Sequence, residues 1–194
     1  MSTFDRLRAE VAAHPSNAWA TAAGWAPLLV GDPSSRVLII SQAPGRRAQE
    51  TGVPWNDASG RLLRSWLGVT DDEFYDPRNV AIVPMDFYYP GKAPTGDLPP
   101  RPDFAPRWHP RVLAELRDVR LTILVGAHAQ RHHLGPRAGR TLTDTVRAGA
   151  TDDGPFPIVH PSPLAGIWRR RNPWFEADVV PLLRARVRSA LDDD

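Results

Sequence analysis

The chain has 194 residues, 42% of them hydrophobic, which is the size of one compact domain with enough apolar side chains for its own core. It contains no cysteine, which excludes disulfides, thiolate zinc sites, cysteine-ligated iron–sulfur clusters and a cysteine nucleophile, and fits a reducing cytoplasm. The formal charge is +2 from 24 basic and 22 acidic residues, and every basic residue except Lys92 is arginine, whose planar fork suits phosphates and bases but which a GC-rich genome also enriches.

In chain order, Phe4, Leu7 and Val11 recur at helical spacing and predict an amphipathic helix over residues 3–13. No apolar run approaches the roughly 18 residues of a membrane span, and residues 1–11 lack the basic and apolar regions of a secretory signal, so a cytoplasmic chain without membrane contact is expected. Residues 36–45 form a β-branched run that ends in Pro44-Gly45, the pattern of a buried parallel strand. Leu62, Leu63, Trp66 and Leu67 share one face of a helix over residues 58–67, with Gly68 as its stop. A second strand is predicted over residues 79–84, followed by a loop from Pro84 to Pro110 whose eight prolines and aromatic residues suggest a segment folded over a site. The remaining pattern predicts a helix over 108–116, a strand over 121–126, a helix over 127–134 and a strand over 156–159 that runs into His160. The tail over 174–191 carries the apolar stripe Phe175, Val179, Leu183 and Val187, with Pro181 placed to kink it. Alternating strands and helices predict an α/β fold, a single-domain three-layer αβα sandwich around a central four-stranded parallel sheet. Ligands then bind beyond the carboxyl ends of the strands.

Two segments carry chemistry. In Val159-His160-Pro161-Ser162-Pro163-Leu164-Ala165, two prolines rigidify a turn directly after a strand and hold one imidazole at its tip. On spacing alone that histidine is either catalytic or simply structural. The second segment, residues 41–60, supplies backbone amides, Gln42 and Glu50 as polar groups, and Trp55 as a stacking face.

Together these segments resemble the uracil-DNA glycosylase superfamily: Gln42-Ala43-Pro44-Gly45 stands where that family has its first motif, and His160-Pro161-Ser162-Pro163-Leu164 is similar to its second. Thr51-Gly52-Val53-Pro54-Trp55 and Arg171-Asn172-Pro173 look like the thermostable bacterial and archaeal subfamily, and the resemblance spans most of residues 36–183. It implies a monofunctional glycosylase of base excision repair, with DNA as partner, no cofactor, no metal, and a monomeric state. It further implies that neutral His160 donates a hydrogen bond to the departing base and that Trp55 stacks on it, with Gln42 and Ala43 beside it. Leu164 would enter the gap left by the flipped nucleotide. Pro44, Gly45 and Ser162 would meet flanking phosphates, as would the triplet Arg169, Arg170 and Arg171, whose other reading is a solvated charge run.

The pattern also departs from that family. Ala43 follows the glutamine where the best-known members have an acid, and Ala48 and Gln49 occupy the positions where the thermostable subfamily places its acids. Glu50 and Asp57 are then the nearest carboxylates, and Glu50 is taken as the candidate for orienting water. Pro84 stands where several members have an asparagine that reads the base; Asp86 and Asn56 are the open alternatives for that task. The subfamily's four cluster-binding cysteines are absent, and packing by Trp19, Trp25 and Trp108 is expected in their place. His128 and His132 are four apart on a predicted helix, but without acidic or thiolate partners nearby they are not taken as a metal site. The competing reading is a DNA-binding damage-recognition protein of the same fold with weak or no hydrolysis. An α/β hydrolase ranks last, because no Gly-x-Ser-x-Gly turn accompanies His160.

Overall fold

The apolar runs pair as one parallel sheet in which β1 (Val37–Ile40), β2 (Val80–Ile82), β3 (Leu121–Val125) and β4 (Phe156–Ile158) stand in the order β2-β1-β3-β4. Register runs from Val37 opposite both Val80 and Leu121 to Val125 opposite Ile158. The computed structural model describes residues 2–150 and 153–192. Around the sheet, in chain order, lie α1 (Thr3–Ala13), α2 (Ala18–Ala22), α3 (Arg46–Thr51), α4 (Ala58–Leu67), α5 (Asp71–Tyr75) and α6 (Phe104–Leu113). They are followed by α7 (Ala127–Leu134), α8 (Leu142–Gly149), α9 (Gly166–Arg171) and α10 (Val180–Leu191).

Strand alternation divides the core into two layers. Val37, Ile39, Ile82, Ile123 and Ile158 face one side, where they pack with Leu63 and Trp66 of α4, Val146 of α8, Phe175, and Leu183 and Val187 of α10. Leu38, Ile40, Ala81 and Leu124 face the other, against Phe4, Leu7 and Val11 of α1, Phe104, Trp108 and Val112 of α6, and Ala129 of α7. With both faces covered, the strands are apolar throughout, as parallel sheets require, and the predicted three-layer αβα sandwich is the observed architecture.

The helix predicted over 108–116 begins earlier, at Phe104, and ends at Leu113. Pro106 falls in its first turn, where a missing N–H removes no intrahelical bond, so a residue read as loop punctuation is a tolerated helix starter. The tail is interrupted as its proline suggests: a π-helical turn over Phe175–Val179 precedes α10, and Pro181 occupies the first turn of that helix.

The segment between β2 and α6 is tied down by buried charge. The Asp86 carboxylate is 1% exposed and receives Nε and Nη2 of Arg101 at 2.6 and 2.9 Å, as well as the Tyr88 amide at 3.1 Å. Arg101 also donates to Asn17 Oδ1 at 2.8 Å and lies over the Phe104 ring at 4.5 Å, next to Trp19, which packs edge-on against Trp25. This corrects the expectation that Asp86 reads a base: the carboxylate does not line the cavity that holds the first motif, and its oxygens accept from Arg101 and from the Tyr88 amide. Trp19 lies against Arg101 and packs on Trp25, and Trp108 joins α6 to the sheet.

Replacing one partner of such a pair strands the other charge. Arg101→Ala is expected to cost about 3–5 kcal/mol in urea unfolding, far above the 0–1 kcal/mol typical of a surface ion pair. A loss in the surface range would show that the pair is not structural.

Candidate functional site

A cavity of about 400 Å³, within the range of small-ligand sites, opens at the carboxyl ends of β1, β2 and β4. Its floor is the loop after β1. The β1–β2 ladder runs beyond the strands, with Met85 N–H donating to Ser41 and Asp86 N–H to Gln42, so the main chain of the first motif is fixed by the sheet. Gln42, Ala43, Pro44 and Gly45 line the cavity, and Gln42 Nε2 donates to the Leu98 carbonyl at 3.1 Å. That bond draws the segment after β2 over the opening, where Pro84, Pro90, Gly96 and Asp97 form the opposite wall.

His160 follows β4 by two residues. Gly126 N–H and Gln130 Nε2 both donate to the Ile158 carbonyl, and the Ser162 amide donates to the His160 carbonyl at 2.8 Å, so the strand end and the turn that carries the imidazole are both bonded in place. Burial pushes the His160 imidazole below its ordinary value of 6.5, and the nearby Asp57 and Asp97 carboxylates oppose that shift. Ser162 also borders the cavity.

Trp55 reaches the same space by a strained route. It has φ of 56°, the only left-handed non-glycine residue among those described, a conformation that costs of order 1–3 kcal/mol. Three neighbours hold it. Arg64 Nη1 donates to the Trp55 carbonyl at 3.0 Å, the Tyr75 hydroxyl donates to it at 3.3 Å, and Gly60 of α4 approaches so closely that a Cβ there would stand 1.7 Å from that carbonyl oxygen. Arg64 is itself fixed by Asp71 at 2.6 Å and by the Phe74 and Tyr75 rings. The result is an indole 5.4 Å from the His160 ring, tilted by 31°.

Several expected residues lie elsewhere. Glu50 is exposed on α3, paired with Arg46 at 3.5 Å and outside the cavity wall; the carboxylates that border the cavity are Asp57 and Asp97. Asp57 caps α4 by accepting the Gly60 amide at 2.9 Å. Asp97 sits in a loop with no motif to mark it. Ala48 lines the cavity, whereas Gln49 is buried as a clamp, donating to Ala26 and accepting the Tyr89 amide. Asn56 does not line the cavity; its Nδ2 donates to Thr51 at 2.7 Å, and its Oδ1 is buried without a partner among the described residues.

In the basic triplet, Arg169 is withdrawn, bonded to Glu176 at 2.8 Å and lying over Trp66, while Arg170 and Arg171 are exposed on α9. The backbone of Leu164 belongs to a short 3-10 turn, Pro163–Ala165, and its side chain lies outside the described residues. His128 is not grouped with His132; the histidines that converge are His109, His132 and His133. No described helix is long and apolar enough to cross a membrane.

A comparison with protein-family models matches residues 29–184 to the one described as "Uracil DNA glycosylase superfamily". The match covers every residue of the cavity wall except Leu28.

Because burial favours the neutral imidazole, His160 is expected to take up its proton only below pH 6.5 in an NMR titration of the ring resonances. Stability contributed by that neutral histidine is complete above pH 6.5 and declines as pH falls below it, since the unfolded chain then binds more protons. A midpoint at or above 6.5 would contradict the buried environment.

Proposed function

The chain belongs to the uracil DNA glycosylase superfamily, and on that premise we propose that it is a monofunctional DNA glycosylase that removes uracil or another deaminated base from a flipped nucleotide in base excision repair. The observation that carries this reading is the convergence of two segments more than a hundred residues apart: the His160 turn and the strained Trp55 present their rings to one cavity, 5.4 Å apart.

The chemistry follows from that arrangement. When the bond between base and sugar breaks, both electrons leave with the base and positive charge builds on the sugar ring. A neutral His160 donates a ring N–H to the carbonyl oxygen where the negative charge collects, and it does so from a fixed turn that needs no reorganisation. Trp55 covers one face of the base. Asp57 takes the role first assigned to Glu50, accepting a hydrogen bond from the water that attacks the sugar carbon, while the Asp57 and Asp97 carboxylates favour the positive sugar. Gly45 and Ser162 meet the flanking phosphates, Arg170 and Arg171 meet the backbone further out, and Leu164 fills the vacated stack. No cofactor takes part.

Oligonucleotides carrying uracil, hypoxanthine, xanthine or a mismatch, single- and double-stranded, followed by alkaline cleavage of abasic sites, test the reading directly. Product from at least one substrate is expected, and His160→Ala is expected to lower its turnover by ~10²-fold or more with DNA affinity nearly intact. Binding without product on any substrate would favour the damage-recognition reading instead.

Arg170→Ala is expected to weaken DNA binding uniformly across sequences and to reduce the slope of log affinity against log salt by about one, as loss of one phosphate contact requires. An unchanged slope would return Arg170 to the solvated surface.

A further inference from the structure

Away from the cavity, three imidazoles meet where α6 packs on α7. His109 of α6 is buried, His133 of α7 is half-buried and His132 beside it is exposed, and one ring nitrogen from each lies within 4.8 Å of the other two. The donor pattern fixes the tautomer of the innermost ring. His109 Nε2 is 2.9 Å from the Pro84 carbonyl oxygen, which only accepts, so Nε2 carries the proton and Nδ1 is a bare lone pair. That lone pair points at His133 Nε2, 3.0 Å away.

We propose that His109 Nδ1, His133 and His132 form a zinc site, with water in the fourth position on the solvent side. Two nitrogens on a tetrahedral zinc with bonds of about 2.0–2.1 Å stand about 3.3 Å apart, so the 3.0 Å pair needs to open by only a few tenths of an ångström. The ligand types are those of three-histidine zinc sites, and His109 has the outer arrangement that metal-bound imidazoles favour, its second nitrogen donating to a backbone carbonyl. Burial pushes both His109 and His133 down to about 4, which keeps them in the neutral form that binds metal near pH 7. When the ion arrives, the proton on His133 Nε2 moves to Nδ1 of the same ring and the metal takes the vacated lone pair, with no change in net charge on the ligands. An ion held there joins α7 to α6 and, through Pro84, to the wall of the cavity. It does not depend on the reaction proposed for that cavity.

The test uses tag-free full-length protein, stripped with chelator and titrated with Zn²⁺ by calorimetry in a non-coordinating buffer near neutral pH. Saturable uptake of one equivalent is expected, with a rise in melting temperature that chelator reverses. His132→Gln removes an exposed ligand without touching the buried His109 bond to Pro84; it is expected to leave the apo melting temperature unchanged and to weaken zinc binding by at least about tenfold. His128→Gln, outside the cluster, is expected to bind as the unaltered protein does. In Co²⁺-loaded protein, the visible absorption of a tetrahedral nitrogen site should appear and be lost in both His132→Gln and His133→Gln. Absence of saturable zinc uptake, or uptake undiminished by either ligand substitution, would overturn the proposal.

Discussion

Burial of the sheet on both faces is the constraint from which the rest of the molecule follows. Once helices cover each side, no polar side chain is accommodated along β1 or β4, and chemistry is driven to the strand ends. The order β2-β1-β3-β4 makes the chain leave β1 toward one side and continue from β3 toward the other, so a crevice opens at the carboxyl edge between diverging connections. The Gln42 loop and the His160 turn lie at that edge because the strands feeding them are its walls. The extension of the β1–β2 hydrogen bonds past the strands, with the Gln42 side-chain bond to the Leu98 carbonyl, then holds that loop in place.

The cavity's other half rests on a local cost. Trp55 is held in a conformation that an L-residue adopts unwillingly, and it stays there because its carbonyl is the shared acceptor of Arg64 and Tyr75 and because Gly60 lets α4 press against it. Arg64 is nearly buried, braced by Asp71 and two aromatic rings, so the guanidinium that fixes the strained peptide is itself immobile. A stacking surface aimed this way loses little entropy on meeting a planar ligand. The strain is stored in the folded protein before any ligand arrives.

The sequence makes some of this plain and hides the rest for identifiable reasons. Four apolar runs reveal the sheet because two-sided burial leaves a continuous signature, and α1, α4 and α7 reveal themselves by periodicity or by an αL glycine such as Gly68. Short helices such as α3 and α5 carry too few turns to show a period, and the start of α6 is disguised by Pro106. Side-chain roles are harder still, because a carboxylate's meaning lies in its partner: Asp86 looked available until Arg101, fifteen residues on, closed over it. Asp57 stands in the sequence only as a carboxylate near the first motif; its cap on α4 and its place on the cavity wall depend on the turn at Trp55, which no spacing announces. The histidine cluster is invisible for the same reason, since His109 joins the other two only when α6 packs on α7.

The arginine content takes on a second meaning beside genome composition and DNA contact. A chain without cysteine has no covalent cross-link with which to fasten loops to its core, and a guanidinium supplies five donors from one long stem. Arg8 donates to the Leu29 carbonyl, Arg184 to Ser65, Arg120 to Asp192, and Arg188 to Gly68 and Glu73, each joining segments distant in sequence. Buried Arg64 ties Trp55 to α4, and half-buried Arg101 reaches Asn17, far away in sequence. Lysine, a point charge with three donors, cannot bridge two carbonyls and a carboxylate in one plane. These arginines are engaged by the fold itself, whereas Arg170 and Arg171 face outward on α9, exposed on the helix that follows the His160 turn in the chain.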